Sequence, residues 1–259
     1  MKVNIIAEVG VNHNGNFNKA KKMAQEAKKA GADFVKFQIF DYDEIALKKL
    51  KKTNYQKTNT SDQSENQYDM LKKLSLTYKD FDKLIKFCKK IKIKFLASVF
   101  DIKSLTYLKK KSNIIKIGSS EISNFFLLKE LGKINKKLII STGMCDFKSI
   151  RKALQLLCKN GQDKKKITLL HCNTAYPTPL NDVNILTMNK LKKIFKVSSG
   201  YSDHAIGCEA VYAAVALGAI VIEKHVTLNK NLSGPDHKIS LDFKEFKEMV
   251  NVIRNITKT

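Results

Sequence analysis

The chain has 259 residues, 43% of them hydrophobic, and a formal net charge of +24 at pH 7. That composition excludes a disordered chain, and the length suits either two average domains or one α/β barrel. Only Arg151 and Arg254 among the 48 basic residues are arginine, the side chain best shaped for phosphate and base edges, and the lysines are dispersed rather than clustered.

The lysines therefore read as solvated helix faces, and neither nucleic acid nor membrane is expected as a partner. The field should still draw small anions into a basic cleft. The five cysteines, Cys88, Cys145, Cys158, Cys172 and Cys208, form no CxxC pair, which fits a reducing, cytoplasmic setting. The opening MKVNIIAEVG is too quickly polar for a signal peptide, and the longest apolar run, Val211 to Ile222, is too short to cross a bilayer.

Eight short apolar runs alternate with lysine-rich amphipathic segments. In chain order they are NIIAEVGVN, FVKFQIF, KFLASVF, IIKIGSS, KLIISTGM, ITLLHCN, VSSGYSD and IVIEKHVT. Helical patterns such as NKAKKMAQEAKKAGA, KDFDKLIKFCKKIK and SIRKALQLLCKNG lie between them. Near-continuous apolar strands separated by helices predict a parallel sheet covered by helices, and eight units predict an α/β fold closed as a (β/α)8 TIM barrel. An open doubly wound sheet competes, but GVNHNG lacks the GxGxxG spacing of a dinucleotide site. Asp41 to Thr77 breaks the rhythm: it is long, polar and poor in strand signal, as an enlarged loop over the active face would be.

Barrel sites lie at the carboxyl ends of the strands, and those ends are polar. They carry Glu8, Asn12 and His13; Lys36 and Gln38; Ser98; Lys116, Ser119 and Glu121; Ser141 and Thr142; His171, Asn173, Thr174 and Tyr176; Ser202, Asp203 and His204; Glu223, Lys224 and His225. Any one of them reads as well as a solvated lysine or a hydrogen-bonded serine. Lys36 and Lys116, however, sit between apolar neighbours, where an unpaired ammonium is costly. With Ser119, Ser141 and Ser202 as donors they could cradle a phosphate or carboxylate. His204 and His225 end neighbouring strands about 5 Å apart. They read equally as a metal pair, suited to Mn, Fe, Co or Zn, or as two core imidazoles at the barrel mouth. His171 and Cys172 are adjacent on one strand and point to opposite faces, which rules out a thiol–imidazole pair.

IIAEVGVNHNG, GADFVKFQ, KIGSSEISN, STGM, HCNTAYPTP, GYSDHAIG and EKHVTLNKNLSGPDHK together resemble the sialic acid synthase family, in order and from about Asn4 onward. The resemblance implies a transferase that condenses phosphoenolpyruvate with an N-acylated hexosamine to give a nonulosonic acid of sialic or legionaminic type. It implies that Lys36, Gln38, Lys116, Ser119, Ser141 and Ser202 hold phosphoenolpyruvate and that Glu121, Tyr176 and Asp236 contact the amino sugar. Asn173 and Thr174 fall among the substrate-binding residues, Thr174 standing where some sialic acid synthases carry Asn. Glu8 would handle a proton, and His204 and His225 would be both catalytic and the ligands of a divalent metal, manganese first with magnesium or cobalt as alternatives. The family also suggests a homodimer. Members usually continue into a small antifreeze-like domain that supplies an arginine across the dimer. This chain ends at VNVIRNITKT, so a single barrel domain over 1–259 without that module is expected. The rival readings are another phosphoenolpyruvate–sugar aldol synthase of the Kdo-phosphate type, a catalytically impaired truncated barrel, and a noncatalytic basic barrel that binds nucleic acid.

Overall fold

The structure is a computed structural model and describes residues 2–60, 62 and 64–258. The eight apolar runs form eight parallel strands: β1 (Asn4–Gly10), β2 (Phe34–Ile39), β3 (Lys94–Val99), β4 (Ile114–Ile117), β5 (Lys137–Ser141), β6 (Ile167–His171), β7 (Ser198–Asp203) and β8 (Val221–Thr227). They pair in chain order, and β8 returns to β1 with Glu8 opposite His225, which closes the barrel. A two-residue strand, β9 (Leu241–Asp242), adds to the outside of β8.

The outer layer is built from α1 (Phe17–Lys29), then α2 (Tyr42–Ile45), α3 (Asn54–Asn59) and α4 (Gln67–Leu74), then α5 (Tyr78–Lys90), α6 (Ile102–Leu108), α7 (Phe125–Ile134), α8 (Phe147–Lys159), α9 (Thr187–Phe195), α10 (Glu209–Ala216) and α11 (Phe243–Ile256). Side-chain caps fix where several begin. Asp101 accepts from the Ser104 amide at 2.7 Å before α6, and Asp146 from the Ser149 amide at 2.7 Å before α8. Arg254, in α11, ties the base of the barrel: its guanidinium donates to the Val3 carbonyl at 2.6 Å and pairs with Asp33 at 2.7 Å.

Alternation along each strand sorts the side chains. The outward set packs with the helices into one large core. The inward set comes in two storeys. Ile6, Phe34, Leu96, Ile139, Leu170 and Val221 form an apolar floor inside the barrel. Two residues further along the same strand faces stand Glu8, Lys36, Ser98, Ser141 and Glu223, and Lys116 follows Ile114 in the same way. The floor therefore lies directly beneath the polar groups.

The Asp41–Thr77 segment lies over the active face as expected of an enlarged loop, with helical structure that its sequence did not announce. It carries α2, α3 and α4, held by local chemistry that strand patterns do not report. Lys52 is buried and binds Thr60 Oγ1 at 2.8 Å, the Asp62 carbonyl and Glu65 at 3.2 Å. Met70 and Leu74 pack with Val11 and Phe40 in a small satellite core. Ser61 and Gln63, within this segment, lie outside the described residues. Among the described residues the only buried lysines are Lys36, Lys52, Lys116 and Lys224, so the rest of the positive charge does face solvent. No helix is long and apolar enough to cross a membrane.

Candidate active site

A cavity of about 620 Å³ opens at the carboxyl ends of the strands. Glu8, Lys36, Gln38, Lys116, Ser119, Glu121, Ser141, Thr174, Tyr176, Ser202, His204 and His225 all line it. With Ser98 from β3, residues from all eight strands or the loops that follow them thus converge on one space.

Its centre is a buried charge cluster. Lys36 Nζ lies 2.9 Å from Glu8 Oε1 and 3.6 Å from Glu223 Oε2, and donates to Ser98 Oγ at 3.1 Å. Lys116 Nζ donates to Ser141 Oγ at 2.6 Å and to the Ile117 carbonyl at 3.1 Å, with Glu223 Oε1 4.0 Å away. Ser202 Oγ donates to that same Glu223 oxygen at 2.9 Å. Burial disfavours every one of these charges, so the partners decide the outcome. Burial lowers the Lys36 pKa, but Glu223 and Glu8 outweigh it and hold the ammonium above the usual lysine range. Burial raises Glu223, yet Lys116 and Lys36 overcome it and keep the carboxylate ionised. Lys116 has fewer neighbours, and burial leaves it below its ordinary value. Glu8 is pushed up to about 7 by burial, with Lys36 opposing and Glu223 adding repulsion. One oxygen each of Glu8 and Glu223 has no hydrogen-bond partner among the described residues.

The imidazoles of His204 and His225 stand beside this cluster, ring centroids 5.5 Å apart. His204 Nδ1 is 2.5 Å from the Asn173 carbonyl, so it donates there and leaves Nε2 free to accept. Burial lowers the His204 pKa to about 4 and drives His225 well below its ordinary value, so both rings are neutral. Tyr176 packs 4.3 Å from His204 and stacks at 5.1 Å on Tyr55, which α3 brings over the mouth.

Two expected residues lie elsewhere. Asn173 does not reach the cavity: its side chain donates to the Asp182 carbonyl at 2.6 Å, and only its backbone serves the site, by orienting His204. Asp236 lines a smaller chamber that opens off the cavity, its carboxylate 3.8 Å from His225 Nδ1. Asp203 and Lys224, polar at strand ends, point outward and form a fully buried pair at 2.6 Å. Asp203 also accepts from the Ala205 amide, and Lys224 donates to the Ala205 carbonyl, so the pair clamps the backbone next to His204. His171 turns away from the cavity onto the Val183 carbonyl at 2.7 Å, while Cys172 faces inward.

Glu223 and Ser98, placed among the polar strand ends but given no role from the sequence, belong to the lining, as do Tyr55 and Gln56. Alternation could have assigned Glu223 and Ser98 to the interior, since each is two residues from an inward position. No pattern announces Tyr55 and Gln56.

A closed parallel barrel whose mouth gathers two buried lysines, carboxylates and paired imidazoles is a (β/α)8-barrel enzyme with a buried charged centre. The chain belongs to the NeuB family, which it matches over residues 23–259. The N,N'-diacetyllegionaminic acid synthase of Campylobacter jejuni is 51% identical over 259 residues, spanning 99% of this chain and 77% of that protein. The enzyme of the same name from Legionella pneumophila is 41% identical over 97% of this chain and 71% of its own length. The crystal structure of an N-acetylneuraminic acid (sialic acid) synthetase from Leptospira borgpetersenii superposes with a TM-score of 0.88 at 33% identity, covering 100% of this chain and 85% of that one.

Proposed function

We propose that this protein condenses phosphoenolpyruvate with an N-acylated hexosamine of the mannosamine type, giving a nonulosonic acid of sialic or legionaminic type and inorganic phosphate. The observation that carries the proposal is the placement of Lys36, Lys116, His204 and His225 around one cavity. The names of its relatives support it.

Lys36 and Lys116 balance the phosphate and carboxylate of phosphoenolpyruvate, which would otherwise be costly to bury. Ser141 accepts from Lys116 and keeps its own proton for the ligand, and Ser119 adds a second hydroxyl. In the reaction the enol carbon forms a bond to the sugar's aldehyde carbon, and the aldehyde oxygen gains a proton. Water adds to the carbon that carries the phosphate ester, and the carbon–oxygen bond to phosphate then breaks, leaving the keto acid. Glu8, poised near neutrality, takes the proton of that water. Glu121 and Tyr176 also line the cavity and would contact the sugar.

A divalent metal fits the imidazole pair. Burial keeps both rings in the neutral, ligating form, and His225 Nδ1 is buried without a hydrogen-bond partner among the described residues. No cluster of three or more His, Cys, Asp or Glu suited to a metal occurs among the described residues, so substrate or water oxygens would complete the shell. His204 and His225 would hold the ion, manganese first, and when bound it supplies Lewis-acid polarisation of the aldehyde.

The test is phosphate release from phosphoenolpyruvate with a manganese salt and a panel of N-acylated hexosamines, with the product weighed by mass spectrometry. Turnover to a keto acid is expected, together with its loss in His204→Ala and His225→Ala. Turnover with arabinose 5-phosphate and with none of the N-acylated sugars would overturn the proposal. Full activity in both histidine variants would remove the metal.

A further inference from the structure

We infer that the foot of the barrel, the face opposite the cavity, is a docking surface for a membrane of anionic phospholipids. Along the chain the lysines are spread out, but the fold gathers many of them. The turns that lead into the strands meet at the amino ends of the barrel, away from the carboxyl ends where the cavity opens. Residues 109–111, before β4, are all lysine; Lys136 and Lys137 lead into β5, and Lys164–Lys166 into β6. These three turns are neighbours: Lys136 Nζ reaches the Ser112 carbonyl at 2.5 Å, and Lys166 Nζ the Asn135 carbonyl at 3.1 Å. Lys92 and Lys94 extend the strip to β3, and Lys196 extends it to β7.

Lysine in the last turn of a helix answers the helix dipole, but these residues lie beyond the α-helices, so the dipole does not account for them. Nor are they neutralised. Among the described residues only Lys111 of the strip pairs with a carboxylate, Asp82, at 2.5 Å. The carboxylates that share this face, Glu26, Asp33, Glu130 and Asp163, are already engaged: with Lys29 at 2.9 Å, with Arg254 at 2.7 Å, with Lys133, and with the Lys165 amide at 2.9 Å.

The chemistry of the strip selects its partner. A second copy of this chain would meet like charge. Nucleic acid is better matched by arginine forks and by aromatic rings that stack on bases. Arg254 is spent on Val3 and Asp33, and the exposed aromatics Tyr78, Phe125, Phe126 and Phe147 open helices at the opposite end. Compact ammonium charges on short turns suit a plane of anionic headgroups. Docking there leaves the cavity facing the aqueous side.

The experiment is co-sedimentation with phosphatidylcholine vesicles, with and without phosphatidylglycerol, of wild type and two variants of equal net charge. One carries Lys110→Gln, Lys137→Gln, Lys164→Gln and Lys165→Gln; the other carries Lys48→Gln, Lys49→Gln, Lys51→Gln and Lys79→Gln on the cavity side, and all these lysines are exposed. Wild type should bind only the vesicles that contain phosphatidylglycerol, and less as salt is added. The foot variant should lose about fivefold in affinity for each lysine removed, while the control variant binds nearly as wild type does. Should the foot variant fail to fold, protection of the same lysines in wild type from acetylation by the anionic vesicles decides. Equal loss in both variants, or no binding by wild type, would overturn the inference, as would tighter binding to duplex DNA than to the anionic vesicles.

Discussion

Glu8 and Glu223 face the same pair of lysines, yet burial and repulsion separate them. Glu223 is held ionised by Lys116 and Lys36, while Glu8 is lifted to about 7. Two coupled carboxyls with different proton affinities divide the labour: one is a fixed counter-ion and the other can exchange a proton. Since the carboxylate is the form that accepts a proton, activity should rise with pH through about 7. Glu8→Gln should lose about 10²–10⁴-fold in kcat and flatten that acidic limb, as a pH–rate profile would read. An unchanged limb would assign the titration to another group. At this scale the sequence was informative because lysines flanked by Val35 and Phe37, or by Ile115 and Ile117, are anomalous on a strand. Asn173 misled because a polar residue at a strand end looks the same whether its side chain or its carbonyl serves the site.

Elements were legible in proportion to their periodicity. The eight strands and the helices between them carry apolar patterns and appear where the pattern put them. The helices α2 to α4 carry little pattern, because they pack on a satellite core and on the Lys52 clasp rather than on the barrel. That is also why Tyr55 and Gln56 could not be assigned to the mouth from the sequence. Within the barrel wall, Gly200 shows how tightly neighbouring strands fit. A Cβ there would come within 2.3 Å of the Val221 carbonyl oxygen and 2.9 Å of a Leu170 methyl. Gly200→Ala should therefore destabilise the fold by about 1–3 kcal/mol through overpacking, visible in a denaturant titration. A midpoint equal to wild type would mean that β7 has room to shift. The Asp203–Lys224 clamp on Ala205 serves a similar end, fixing the backbone that carries His204.

For the whole molecule, the buried imidazoles set the response to acid. His13 and His237 are each held at about 4 by burial, against an ordinary value of 6.5, and His204 and His225 are lowered too. The unfolded chain takes up these protons first, so their contribution to stability is complete above about pH 6.5 and declines as pH falls toward 4. Glu8 and Asp236, raised to about 7 and about 6, act in the opposite sense, gaining protons more readily when folded. His171 is lowered by burial as well, so five imidazoles outnumber two carboxyls, and the metal-free protein should melt at lower temperature at pH 4.5 than at pH 7, by about 2–4 °C for each kcal/mol lost. A scan showing equal melting points would place the histidines in wetter surroundings. The apolar floor carries a kinetic corollary. Ile6, Phe34, Leu96, Ile139, Leu170 and Val221 stopper the barrel beneath the cavity, which opens at the carboxyl ends of the strands. In the proposed reaction phosphoenolpyruvate would sit on the lysines just above that stopper, go in ahead of the sugar and stay behind it until the bond is made. Initial-rate patterns should therefore be those of compulsory-order addition, with excess amino sugar blocking the entrance as a dead-end inhibitor against phosphoenolpyruvate.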